Sequence, residues 1–170
     1  MCIRDRNITL TTLHISDNEL GPEGARHLAD ALEVNSTLIT LNISYNNIGP
    51  NGAKYLADAL RVNSTLTTLD ISGNNLRSEG AIHLADALRE NSKLTSFDIS
   101  CNNLGLEEEK SIKYLVECNS LYQQLEKLGK IVIQNKKLKE LINSLFFSLS
   151  VSQFIIPNEL RYEISKQFIL

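Results

Sequence analysis

Four asparagines, Asn18, Asn46, Asn74 and Asn102, stand 28 residues apart with no insertion or deletion between them. A carboxamide donates through its nitrogen and accepts through its oxygen. A column of them suits a chain that must satisfy backbone groups at repeated turns. Unsatisfied groups in an interior cost roughly 1–3 kcal/mol each, so a structural role is expected of the column. Other reactive residues are sparse. His14, His27 and His83 form no metal-ligand spacing, and Tyr55 takes the position midway between His27 and His83. Cys2, Cys101 and Cys118 are odd in number and have no paired spacing, which favours a reducing compartment. Cys118 precedes Asn119, not a Cys-x-Asp sequence, and reads as a structural cysteine. No phosphate-binding glycine loop, nucleophile elbow or paired carboxylates occur, so no catalysis, cofactor or metal is expected.

The elements that would carry these residues repeat with the same period. Leu38-Ile-Thr-Leu-Asn-Ile-Ser-Tyr-Asn-Asn-Ile-Gly returns as Leu66-Thr-Thr-Leu-Asp-Ile-Ser-Gly-Asn-Asn-Leu, and each is followed by a Gly-Ala-x-x-Leu-Ala-Asp-Ala-Leu segment. A fixed period of this size marks a solenoid. Each repeat reads as strand, turn, helix. Leu10, Leu13 and Ile15 are expected to point inward in the first, and Pro22 suits the first helical position. Ala25, Leu28, Ala29 and Leu32 fall at i, i+3, i+4 and i+7, one apolar stripe. Ala53, Leu56, Ala57, Leu60 and Ala81, Leu84, Ala85, Leu88 repeat it, their alanines letting the helix sit close to the strands. The fourth repeat keeps Leu94, Phe97, Ile99 and Leu104 but replaces the helix consensus with an acidic start, Glu107-Glu-Glu, which suits a helix N-terminus in a capping repeat.

The pattern L-x-x-L-x-I-x-x-N-x-L/I over residues 8–106 resembles the leucine-rich repeat, and its period and alanine-rich helix resemble the ribonuclease-inhibitor-like subclass. The resemblance implies an α/β solenoid with a parallel sheet on its concave face and a helical C-terminal cap. It also implies a structural ladder in which Asn18, Asn46, Asn74 and Asn102 lie inside the turns and bond backbone groups of their own coil and the next. Function does not follow from fold alone, but concave faces of solenoids are their usual binding surfaces. The residues expected there are Thr12 and His14, Thr40 and Asn42, Thr68 and Asp70, Ser96 and Asp98, with Ser16, Ser44, Ser72 and Ser100 beyond them and Tyr45 in the following turn. Tyr45 is the one side chain of a type favoured at binding hot spots. Non-catalytic binding of a protein partner, as a scaffold or recognition module, is therefore expected.

At 42 % hydrophobic residues and a net charge of −3, the chain has no electrostatic case for nucleic acid, and no apolar run long enough for a membrane span. Residues 1–7 carry no apolar signal-peptide core and do not fit the repeat, so they are expected to be a non-native or truncated lead-in, with earlier repeats missing. The Asn-x-Ser/Thr sequences at Asn7, Asn35, Asn42 and Asn63 are taken as coincidental, and a cytoplasmic location, or a host cytosol for a secreted effector, is expected. Residues 107–170 are expected to form the degenerate capping repeat and a helical region, with Leu121, Leu125 and Leu128 on a short helix broken near Gly129. Leu138, Leu141, Ile142 and Leu145 suggest another helix. Ile156-Pro-Asn-Glu-Leu160 resembles the start of an F-box, which implies docking on a ubiquitin-ligase adaptor through Ile156, Pro157, Leu160, Ile164 and Phe168. An amphipathic capping helix is the preferred reading of that segment.

Overall fold

The computed structural model describes residues 9–132. The chain divides into a first unit, Met1–Ser120, and a second, Leu121–Leu170. The described elements are β1 (Thr12–His14), α1 (Gly21–Val34), β2 (Thr40–Asn42), α2 (Gly49–Val62), β3 (Thr68–Asp70), α3 (Arg77–Glu90), β4 (Ser96–Asp98) and α4 (Leu106–Val132). The strands pair in parallel in sequence order, and the register carries the 28-residue period without slippage: Thr12 faces Thr40, which faces Thr68, which faces Ser96. The first unit is thus an α/β solenoid of strand–helix repeats.

Strands of three residues are too short to be stable alone; they persist because each coil adds identical bonds to its neighbour. Ile15, Ile43 and Ile71 donate their N–H groups to Asn42, Asp70 and Asp98 of the following coil, each at 2.9 Å. Leu41 and Leu69 from the strands, Ile43 and Ile71 just after them, and Leu56, Leu60, Leu84 and Leu88 from the helices share one buried core.

The expected helix stripe is largely observed. Ala25, Ala29 and Leu32 are buried, as are all four stripe residues of α2 and of α3. Leu28 is only partly buried, and Leu10 is exposed rather than inward. The stripe also widens beyond the expectation, because Ala59 and Ala87 are fully buried while the equivalent Ala31 is exposed. Ala59 and Ala87 sit on helices with a preceding helix beside them; α1 has none among the described residues. Close approach of the helices explains Gly52 and Gly80. A Cβ on Gly80 would lie 2.9 Å from the Ala53 Cβ, and one on Gly52 would lie 3.0 Å from the Ala25 Cβ.

Each turn runs through alternating left-handed residues. Asp17, Glu19 and Gly21 have positive φ, as do Tyr45, Asn47 and Gly49, then Gly73, Asn75 and Arg77. Gly21 begins α1 in this conformation, so Pro22 follows it within the first turn instead of opening the helix. Arg77, at φ 57°, occupies the place that glycine takes in the two preceding repeats.

The two helices expected over residues 107–118 and 121–128 are one. α4 runs from Leu106 through Gly129 to Val132. A lone glycine costs only about 1 kcal/mol in a helix interior, and no proline interrupts this stretch. The later segments, with Leu138–Leu145 and Ile156–Phe168, lie outside the described residues.

Candidate functional site

The asparagine column forms a buried ladder, with a direction opposite to that expected. Asn46 Oδ1 accepts from the Asn18 N–H at 2.9 Å and from the Leu20 N–H at 3.3 Å, while its Nδ2 donates to Ile15 at 2.9 Å and to its own coil at Ile43 and Ser44. Asn74 and Asn102 repeat the pattern on the coils before them. Each asparagine therefore ties its own coil to the preceding one, because its side chain reaches back across the turn. Asn18 has no described coil before it; it is exposed, and donates to Ser16 at 2.7 Å.

A second asparagine ladder runs along the ends of the helices. Asn35, Asn63 and Asn91 end α1, α2 and α3, and Asn119 keeps the same spacing within α4. Asn63 Nδ2 donates to Leu32 at 2.8 Å and Asn35 at 3.2 Å, and its Oδ1 accepts from Thr65 and Leu66. Asn91 reaches Leu60 and Asn63, and Asn119 reaches Asn91 and Leu94. The 28-residue interval was visible in the sequence. The Asn-Ser-Thr sequence at Asn35 and Asn63 matches a glycosylation pattern only by coincidence of the repeat, and Asn63 is buried with its amide engaged.

On the sheet, Thr12, His14, Ser96 and Asp98 are exposed, and Thr40, Asn42, Thr68 and Asp70 are half-buried. Register places His14, Asn42, Asp70 and Asp98 in one row and Thr12, Thr40, Thr68 and Ser96 in another. Asn42 Nδ2 donates to Asp70 Oδ2 at 3.0 Å, linking two strands. Ser44 and Ser72 were expected to be open but are buried. Their hydroxyls donate to Asn42 Oδ1 at 2.8 Å and Asp70 Oδ1 at 2.7 Å, which turns those side chains into fixed members of the row. Tyr45 is 59 % exposed. A Cβ on Gly73 would fall 2.6 Å from its ring, so the ring lies directly over that glycine.

At the last strand, a cavity of about 270 Å³ is lined by Phe97, Asp98, Ile99 and Ser100 and by Glu109, Ile112, Lys113, Val116 and Glu117 of α4. Electrostatic perturbation lies elsewhere. The hydrogen bond that Arg26 donates to Glu23, helped by the carboxylate's charge, raises the Arg26 pKa. Burial raises the Tyr114 hydroxyl, with Cys118 adding to it.

His14 and His27 are exposed and His83 half-buried on separate elements; among the described residues no three His, Cys, Asp or Glu side chains gather where a metal could sit. Cys101 and Cys118 are free thiols, the first exposed. No described helix is long and apolar enough to cross a membrane.

Parallel three-residue strands, a helix in every coil and asparagine-bonded turns define a repeat solenoid. The chain belongs to the leucine-rich-repeat family, whose model matches residues 6–29, 34–57, 62–85 and 90–107. It is similar to a solved structure described as leiomodin-1 actin-binding site 2, at 18 % identity and a TM-score of 0.61, covering 74 % of this chain and 89 % of that one. It is also similar to the tropomodulin C-terminal domain of Caenorhabditis elegans, at 17 % identity and a TM-score of 0.51, covering 74 % and 93 %. At these identities the likeness is one of fold. No curated protein matches the chain.

Proposed function

We propose that this chain is a non-catalytic protein-binding module of the ribonuclease-inhibitor-like kind, with its partner seated across the sheet face on Thr12, His14, Thr40, Asn42, Tyr45, Thr68, Asp70, Ser96 and Asp98. The observation that carries the reading is Tyr45. It is a large amphipathic side chain, more than half exposed, and is backed by Gly73 instead of being packed into the core. Aromatic residues held rigidly at a surface favour binding because little side-chain entropy is lost on contact. Around it stands a row whose rotamers the Asn42–Asp70, Ser44–Asn42 and Ser72–Asp70 bonds already hold. Such pre-ordering lowers the entropic cost of association.

The leiomodin structure carries actin binding in its description; with only the fold in common, the partner here is a protein chosen by this face. Free Cys101 and Cys118 support a reducing, cytoplasmic setting. The ligase-recruiting alternative concerns Ile156–Phe168, outside the described residues.

The test is affinity capture with three forms of the full chain: native, a sheet-face variant (Tyr45→Ala with Thr68→Arg) and a helix-face variant (Lys54→Glu). The reading requires specific proteins retained by the native and helix-face forms and lost from the sheet-face form. Loss from the helix-face variant alone would move the site to the other side of the molecule.

A further inference from the structure

The charges of the first unit are sorted by layer. Between residues 9 and 132 every Lys and Arg lies in a helix, except Lys93 in the loop after α3. Several of these cations are already paired with carboxylates of the helix layer: Arg26 with Glu23 and Asp30, Arg61 with Asp58 and Glu90, Arg89 with Asp86, and Lys110 with Glu107. The strands carry Asp70 and Asp98 on one row and no cation opposite them, and neither enters an ion pair among the described residues. Their acceptor atoms are oriented from beneath, Asp70 by Ser72 and Asn42, and Asp98 by the Ser100 N–H at 2.9 Å.

Asp98 also lines the cavity at the last strand, whose apolar walls include Phe97, Ile99 and Val116. Carboxylates around that opening outnumber the ammonium groups: Asp98, Glu109 and Glu117 against Lys113. None of these four is ion-paired among the described residues. Among the described residues no strand pairs with the sheet edge beside it. Ile71 and Gly73 donate their N–H groups to Asp98 and Ser100, whereas the equivalent Ile99 and Cys101 have no following coil among the described residues. An apolar cavity next to a negative row and to an edge that no described strand pairs with is complementary to an extended basic segment with one apolar anchor.

We propose that the sheet face takes an extended, positively charged segment of a partner protein, its Lys or Arg side chains on Asp70 and Asp98 and one apolar side chain in the cavity between β4 and α4. This rests on the sheet-face reading above and adds the chemistry of the partner. A row of carboxylates attracts cations at range and fixes the register of the segment, while the cavity supplies the anchor.

A phage-displayed random peptide library selected on the immobilised full chain tests it, with the selected peptides then synthesised and titrated. The expected result is enrichment of Lys and Arg beside a large apolar residue, with binding that weakens as salt rises and on replacing the apolar residue by alanine. A double variant, Asp70→Asn with Asp98→Asn, should lower affinity about tenfold or more. It should keep its fold, because Asn42 shows that an amide on this row holds the serine two residues on, and the one bond lost, from Asn42 Nδ2 to Asp70 Oδ2, is half-exposed. Peptides without basic enrichment that are lost with Tyr45→Ala overturn this inference and leave the sheet-face reading standing. Peptides indifferent to every sheet-face substitution overturn both.

Discussion

Replacing Asn74 by alanine should destabilise the solenoid far more than the same change at Asn18. The structure shows where the cost arises. Asn74 Nδ2 donates to Ile43, Ile71 and Ser72, but each of those carbonyls keeps another donor: Asn46 Nδ2, Asn102 Nδ2 and the Tyr45 N–H respectively. The acceptor side has no such reserve. Without Asn74 Oδ1, the Asn46 N–H loses its 2.9 Å partner and the Ile48 N–H its 3.4 Å partner, both in the buried interior. An orphaned buried donor costs about 1–3 kcal/mol; the second bond is long, so the pair comes to about 2–4 kcal/mol. That is a large part of the roughly 5–15 kcal/mol that holds a domain folded. Asn18 is exposed and its side chain makes one bond among the described residues, to Ser16, so its loss should cost under about 1 kcal/mol. Urea unfolding of the full chain, followed by far-ultraviolet circular dichroism, measures both. Equal losses for the two variants would refute the assignment of the cost to interior backbone donors.

Two further changes probe the backbone and the helix layer. Arg77→Gly should stabilise the chain by roughly 1 kcal/mol, because the left-handed φ of 57° is costly for a side chain and free for glycine; a fall in thermal midpoint would show the turn is not strained there. Gly80→Ala should cost about 1–2 kcal/mol despite alanine's better helix propensity, since its Cβ would meet Ala53 at 2.9 Å, Leu76 at 3.1 Å and the Pro50 Cα at 3.3 Å. An increase in stability would mean that α2 and α3 are free to move apart.

Much of this was legible in the chain because a one-dimensional fold writes its geometry as a period. The interval of 28 placed every strand, turn and helix of the first three repeats, and an inward residue in one coil implied its counterparts in the next. Asn46 and Asn74 were recognisable as turn residues from their chemistry and spacing. What spacing could not convey is which neighbour a side chain reaches: the ladder bonds the preceding coil, and only the path of the backbone through its left-handed residues decides that. Ser44 and Ser72 looked open because strand alternation puts them on the outer face, yet their hydroxyls turn back onto Asn42 and Asp70.

The sequence by itself determined the repeat, its register and the identity of the core, because these follow from side-chain type at fixed intervals along one chain. The tertiary structure alone decided the rest. Ala59 and Ala87 are buried while Ala31 is open because burial there depends on an adjacent helix. Tyr45 stands over Gly73, a residue 28 positions away that only the coil brings beneath its ring. The cavity beside Asp98 exists because α4 meets β4 where no further coil follows among the described residues. Each is a property of how neighbouring coils meet in space, which no single repeat contains.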